Sequence, residues 1–270
     1  MQYFLRKNAK GAGGSTKLSE MTAFGDFIEK MELIDSSVLF WERNSLWFKP
    51  DGSARSRIDR LKGVIRKLIS TCQTAFVPGR QILDGVVVVN ELIDLAKRRR
   101  DKALLLKVDF EKAYDSVNWK YLNFVLRKMK FPTKWMEWMK ACIFTSSMSI
   151  LVNGSPTEDF VVGKGLRQGD PLSPFLFLLA AEGLTRLTHK AVEIGTFKGF
   201  KVSEELKYDI LQFADDTILI GEGSWDNLWS IKTILRSFEM VSGLKVNFFK
   251  SKLYGLNMEV FLAKDLHLLS

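Results

Sequence analysis

Apolar residues recur along this chain with two periods, and their alternation predicts short strands set between long helices. Helical spacing joins Phe24, Phe27, Ile28, Met31 and Ile34, whereas residues 38–48 read as a strand before a turn at Pro50-Asp51-Gly52. Helices are predicted over 61–69, over 84–100 with Asp84 as N-cap, over 119–129, and after Pro132, where Thr133 is the expected cap. Strands are predicted at 104–108 and in a hairpin that joins 148–152 to 160–162 through Asn153-Gly154. A long helix follows over 173–192, and then 210–213 and 217–220 form two strands about an acidic turn, Ala214-Asp215-Asp216. A helix over 226–241 and short strands at 244–248 and 252–254 complete the pattern. Residues 1–20, rich in Lys, Gly and Ser without periodicity, are expected to form a flexible tail. No internal repeat is visible, and the pattern predicts an α+β domain with helices packed on one face of a small sheet.

Composition narrows the function classes. With 270 residues, 46% apolar and 26% charged, the chain can bury a sizeable core and is not a disordered or low-complexity sequence. A net charge of +9 favours a polyanionic partner. Two cysteines, Cys72 and Cys142, and two histidines form no metal-binding spacing, so a metal must sit on carboxylates. The longest apolar stretch, 174–181, is too short to span a membrane and ends at Glu182; with no secretory leader visible, an intracellular protein is expected. Lys97-Arg98-Arg99-Arg100 falls at a predicted helix end, where it suits the macrodipole as a solvated cap. Trp135 and Trp138 share a helical face and are expected in the core rather than on a base-stacking platform.

The candidate chemistry lies at the strand ends. Asp109 follows one apolar strand and Asp215-Asp216 follow another. If the strands are neighbours, three carboxylates converge, which calls for a hard cation such as Mg²⁺. Two such ions can activate an attacking oxygen and stabilise a leaving phosphate oxygen. Aspartate is also a common turn residue, so spacing alone leaves a purely structural role open.

Three segments change that weighting: Asp109-Phe110-Glu111-Lys112-Ala113-Tyr114-Asp115, then Gly165-Leu166-Arg167-Gln168-Gly169-Asp170-Pro171-Leu172-Ser173-Pro174, then Phe213-Ala214-Asp215-Asp216. In this order they resemble the palm motifs of reverse transcriptases, most closely the non-LTR (LINE-type) retrotransposon branch of plants. Residues 73–85, from Gln73-Thr74-Ala75-Phe76 to Asp84-Gly85, resemble that branch's fingers motif, and Ser242-Gly243-Leu244-Lys245-Val246-Asn247 through Lys252 resembles its fourth palm motif. The resemblance spans about residues 65–256. It implies a reverse-transcriptase palm, a ferredoxin-like antiparallel sheet with helices on one face, plus partial fingers. It implies RNA-directed DNA polymerisation with two Mg²⁺ ions, replaceable by Mn²⁺, on an RNA template, a DNA primer and dNTPs. Asp109, Asp215 and Asp216 would be the catalytic and metal-binding carboxylates, with the Phe110 carbonyl as a further ligand. Tyr114 would lie under the nucleotide sugar and reject a 2′-hydroxyl; core packing is its other reading. Gln168 and Gly169 would meet the incoming nucleotide and template, the glycines allowing close backbone approach, and Arg80 would contact phosphate or template. One of Lys245, Lys250 and Lys252 would protonate the departing pyrophosphate.

A second resemblance covers residues 24–35 and 47–60, which look like the late part of the apurinic-type endonuclease that precedes the polymerase in these elements. Its catalytic Glu and Asn/Asp motifs and its terminal Ser-Asp-His motif are absent, so an intact nuclease is excluded. The first fingers motif is missing too, which places an internal deletion near residues 60–64. The expected organisation is a tail over 1–20, an endonuclease-like remnant over 21–62, partial fingers and palm over 63–256, and the start of a thumb or a tail over 257–270. The missing fingers strands grip the triphosphate in the family, and phosphoryl transfer relies on that positioning. The chain therefore has two readings, a reverse transcriptase domain or an inactive retroelement remnant that at most binds nucleic acid. Nuclear residence is expected from the family.

Overall fold

The computed structural model describes residues 57–145 and 147–258. The helical pattern at 24–34, the strand at 38–48, the tail and residues 259–270 lie outside the described residues.

Two helices come first, α1 (Arg57–Leu68) and α2 (Ile82–Arg99), followed by β1 (Ala103–Val108). The helices α3 (Ala113–Ser116), α4 (Trp119–Lys128) and α5 (Thr133–Met139) lead into a π-helical turn, Lys140–Phe144. Four two-residue strands follow, β2 (Ser147–Met148), β3 (Leu151–Val152), β4 (Ser155–Pro156) and β5 (Phe160–Val161). The long helix α6 (Ser173–Glu193) precedes β6 (Phe200–Lys201), β7 (Lys207–Tyr208), β8 (Ile210–Phe213) and β9 (Asp216–Glu222). Helix α7 (Trp225–Ser242) and β10 (Lys252–Leu256) end the described fold.

The central sheet has the order β10-β1-β9-β8, and every pair in it is antiparallel. Its two faces are both covered because β1 is apolar at successive positions. Leu104, Leu106 and Val108 face the larger core with residues of α1, α4, α6 and α7, whereas Ala103 and Leu105 face a smaller core with Leu92 and Ala96 of α2. Helices share one face as the pattern predicts, with α2 as the exception on the other. Tyr121 anchors α4 to α6 by donating its hydroxyl to the Ala180 carbonyl at 2.8 Å. Gly183 is needed there, because a Cβ would collide with the Tyr121 hydroxyl.

Several boundaries differ from the sequence expectation. Asp84 is not the N-cap of α2; that position is Gln81, and the Asp84 carboxylate reaches back to accept from the Gln81 N–H at 2.9 Å. Pro132, not Thr133, caps α5, its fixed φ preparing the first turn. The hairpin at Asn153-Gly154 forms, but its ladder is split into the pairs β3–β4 and β2–β5. The strand expected at 244–248 reduces to one bridge, Val246 opposite Phe110, because the chain turns at Asn247. Helix α1 runs unbroken through 60–64, and Leu61 is buried in the larger core, so the packed unit starts no later than Leu61.

Candidate active site

Strand β1 and the β8–β9 hairpin carry their acidic residues to one end of the sheet. Val108 lies opposite Thr217, so Asp109, one residue further on, continues beside the start of β9. Asp215 sits in the two-residue turn between the paired Phe213 and Asp216, with Ala214 held at φ 54°. The strand before the acidic turn, β8, is not a neighbour of β1, because β9 lies between them; Asp109 and the turn reach the same end of the sheet through the β1–β9 pairing.

The backbone of the first carboxylate is fixed from both sides. The Asp109 N–H donates to Ser251 Oγ at 3.0 Å, and its carbonyl accepts from the Asn247 N–H at 2.7 Å. The Glu111 N–H donates to the Lys245 carbonyl at 2.8 Å, so residues 245–251 run alongside 109–111. The Phe110 ring meets Phe238 edge-on, centroids 6.4 Å apart, which ties this loop to α7.

The carboxylates do not gather as a trio. Among the described residues no three Asp, Glu, His or Cys side chains stand together as a metal-holding group. Asp216 lies at the surface, its Oδ1 3.4 Å from Lys107 Nζ. Asp109 is half-buried and Asp215 exposed, and among the described residues neither takes part in an ion pair. This donor set, two free carboxylates with carbonyl oxygen nearby, fits a hard ion such as Mg²⁺, which is commonly held by one or two carboxylates plus substrate phosphates rather than by an all-protein cage.

Tyr114, on α3, stacks on Phe177 of α6 with centroids 4.7 Å apart. Burial pushes its phenol up from its ordinary value and the Asp215 charge pushes it further, so the ring lies within the field of that carboxylate. Its carbonyl accepts from the Leu166 N–H at 2.7 Å, joining the first motif to the second. Gln168 and Gly169 are exposed on the loop before α6. Close approach is required at Gly165, where a Cβ would come 3.1 Å from the Asp115 carbonyl; Gly169 has open space and is needed for its φ of 86°. Pro174 lies in the first turn of α6 as expected.

Arg80, expected at phosphate or template, lies folded back on its own loop. Its guanidinium donates to the carbonyls of Ser70 and Gln73, both at 2.6 Å, and of Ile69 at 3.3 Å, closing its own loop instead of projecting to a ligand. Lys245, Lys250 and Lys252 are exposed; Lys252 pairs with Lys107 across β1, and the other two flank the turn beside Asp109. Trp135 is buried and Trp138 packs against it, as expected of core residues.

Beneath the hairpin lies a polar seam that hydrophobic patterning does not reveal. Gln73, 1% exposed, holds the hairpin backbone, and Gln212 accepts from Thr185 Oγ1 at 2.7 Å and donates to Thr217 Oγ1 at 3.3 Å. Glu182, also buried, accepts from the Ser70 N–H and hydroxyl at 3.0 Å and from Arg186 at 2.9 Å. Burial raises the Glu182 carboxyl above its ordinary range, against the pull of Arg186 and Ser70.

The helix-backed antiparallel sheet with acidic loops at one end agrees with the palm fold expected from the sequence. Among solved structures of similar fold, apo telomerase from Candida tropicalis, truncated from its C-terminal domain, aligns with a TM-score of 0.54 at 14% identity over 75% of this chain and 40% of its own. Telomerase from Candida albicans in complex with a TWJ fragment of telomeric RNA aligns with a TM-score of 0.54 at 15% identity, over 74% of this chain and 34% of its own. Residues 54–260 match the family described as reverse transcriptase (RNA-dependent DNA polymerase), and the chain belongs to that family. The uncharacterized 149 kDa protein of transposon TX1 from Xenopus laevis is 30% identical over 71% of this chain and 14% of its own length. The retrovirus-related Pol polyprotein of the type-2 retrotransposable element R2DM from Drosophila melanogaster is 27% identical over 65% of this chain and 16% of its own. An uncharacterized mitochondrial protein of Arabidopsis thaliana is 38% identical over 39% of this chain and 87% of its own. Together these matches identify the reverse transcriptase domain of a non-LTR retrotransposon, spanning a small part of the transposon proteins it matches. The family is generally dependent on a divalent metal. Among the described residues no helix is long and apolar enough to cross a membrane.

Proposed function

We propose that this chain catalyses RNA-templated addition of dNTPs to a DNA 3′-hydroxyl. The observation that carries the reading is the delivery of Asp109 and Asp215 to the same end of the central sheet, where β1 pairs with β9, each without an ion pair among the described residues. Asp109, the Phe110 carbonyl and Asp215 would hold Mg²⁺, with Asp216 a weaker partner because Lys107 competes for it. Bound there, two such ions would supply an activated 3′-oxygen and charge stabilisation of the leaving phosphate oxygen. Tyr114, stacked on Phe177, would present a rigid ring under the nucleotide sugar, and Gln168 and Gly169 would border the nucleotide from the loop before α6. The motif wording supports a plant element, and the family's target-primed insertion supports nuclear residence.

A primer-extension assay on an RNA template with Mg²⁺ or Mn²⁺ tests the proposal, once circular dichroism has shown that the protein and its Asp215→Asn variant are both folded. Extension by the parent chain, reduced at least about a hundredfold in the variant, is the expected result, in line with loss of one preorganised electrostatic group. Extension that persists in Asp215→Asn would overturn the assignment. The second reading is a catalytically inactive remnant. It is favoured by the exposure of Ile82, Leu83, Val86 and Val87 on the first turns of α2, at the end of the fingers motif and just past it. Salt-sensitive nucleic-acid binding without extension by a folded chain would establish it.

A further inference from the structure

The hairpin that carries Asp215 is not built from residues that favour its turn. Ala214 stands at φ 54°, a left-handed conformation that is unfavourable for an L-residue with a Cβ. It is also buried, so its N–H and C=O need partners that a two-residue turn does not supply. Both partners come from one side chain. Gln73 Oε1 accepts from the Ala214 N–H at 3.0 Å, and Gln73 Nε2 donates to the Ala214 carbonyl at 3.2 Å. The same Oε1 accepts from the Ala75 N–H at 3.0 Å, which orients the amide.

Gln73 is itself held on both sides. Its carbonyl accepts from Arg80 at 2.6 Å, and its backbone lies against the free side of β8, bridging Gln212 in parallel. The Gln212 N–H donates to the Cys72 carbonyl at 2.8 Å, and the Thr74 N–H donates to the Gln212 carbonyl at 2.9 Å. The hairpin is thus tied to residues 72–74 by five hydrogen bonds, two from the Gln73 amide to Ala214, two between the Gln212 backbone and those of Cys72 and Thr74, and one from the Thr74 hydroxyl to the Gln212 carbonyl at 3.2 Å.

We propose that Gln73 is a positioning residue for nucleotidyl transfer: its amide clamps the backbone of Ala214 and so fixes where Asp215 presents its carboxylate. The inference rests on the polymerase reading above. It assigns the fingers motif a role at the metal-binding hairpin, with Arg80 as the brace behind the clamp. An amide that pairs with both polar groups of one residue resists rotation of that residue, and Asp215 is the next residue in the chain.

The test is made on the full chain with two readouts, amide hydrogen exchange of the hairpin and Mn²⁺ affinity followed by electron paramagnetic resonance. In the parent chain the Ala214 amide is expected to be protected although it lies at a hairpin tip; exchange at the rate of an exposed turn would overturn the clamp without any variant. Gln73→Met, close in volume but without the amide, is expected to lose that protection and to weaken Mn²⁺ binding about 10–100-fold, the range for groups that orient metal ligands. A folded Gln73→Met chain with unchanged Mn²⁺ affinity would overturn the positioning role and leave a structural one. Arg80→Lys keeps the charge but not the fork, and is expected to shift both readouts in the same direction by a smaller factor; if Gln73→Met does not fold, Arg80→Lys with both readouts unchanged overturns the proposal in its place. Asp215→Asn separates the two levels. If it binds Mn²⁺ as the parent does, the polymerase reading fails; if it loses Mn²⁺ while Gln73→Met retains it, the clamp proposal alone fails.

Discussion

Two tight hairpins in this domain open their turns on a left-handed residue, Asn153 and Ala214, and hold it there by opposite routes. At Asn153-Gly154 both turn residues have positive φ, 51° and 83°, and both belong to the types that adopt it readily. That hairpin is exposed, and its short strands leave Leu151, Val152 and Val161 in solvent. At Ala214-Asp215 the turn contains an alanine at φ 54°, buried and clamped from outside by Gln73. The first turn is specified by its own residues, the second by a side chain 141 positions away. A turn can therefore be poor in local turn preference when tertiary contacts fix it more tightly than its own sequence could.

Three substitutions would break or sharpen this contrast. The largest effect is expected from Gln212→Leu, which strips the fully buried Thr217 hydroxyl and the Thr185 hydroxyl of their Gln212 partner. Thr185 keeps only the Cys72 thiol as a weak donor at 3.8 Å, and the loss of both amide partners should lower stability by about 2–4 kcal/mol, read as a reduced urea midpoint at unchanged slope. Next comes Gly154→Ala, where a Cβ meets nothing within 4 Å, so the cost is purely conformational. About 1 kcal/mol is expected, with Mn²⁺ binding untouched because the exposed hairpin stands apart from the clamp. The smallest is Ala214→Gly: relief of the left-handed alanine and the greater unfolded-state entropy of glycine should nearly cancel, leaving stability within about 0.5 kcal/mol of the parent. A loss of several kcal/mol in that variant would show that the Ala214 methyl, rather than the Gln73 amide, holds the turn.

The same contrast explains what could be read from the chain alone. Strand ends, the Asn153-Gly154 turn, α6 and the placement of Asp109 and Asp215 are legible because apolar periodicity and turn chemistry are local signals. Element boundaries were less so: Gln81 took the cap position from Asp84 because the carboxylate works better from inside the first turn, reaching back to the N–H before it. The buried polar seam was invisible, since nothing in the spacing of Gln73, Thr185, Glu182 or Gln212 marks a polar residue as interior. Gln73 opens the fingers motif and Gln212 lies two residues before Ala214, but only the fold shows that they meet. The setting of Arg80 was hidden for the same reason, because a guanidinium suited to phosphate is equally suited to three backbone carbonyls.

The strip of chain from Cys72 to Thr74 has one more consequence. By pairing with Gln212 it occupies the outer side of β8, the last strand of the central sheet. A shortened product that began after Thr74 would leave that side with unpaired N–H and C=O groups beside the apolar Leu211, an open template for another copy to add a strand. The segment that steadies the hairpin is thus also what keeps one molecule from joining the next, and truncations made to trim this domain should keep it to avoid aggregation.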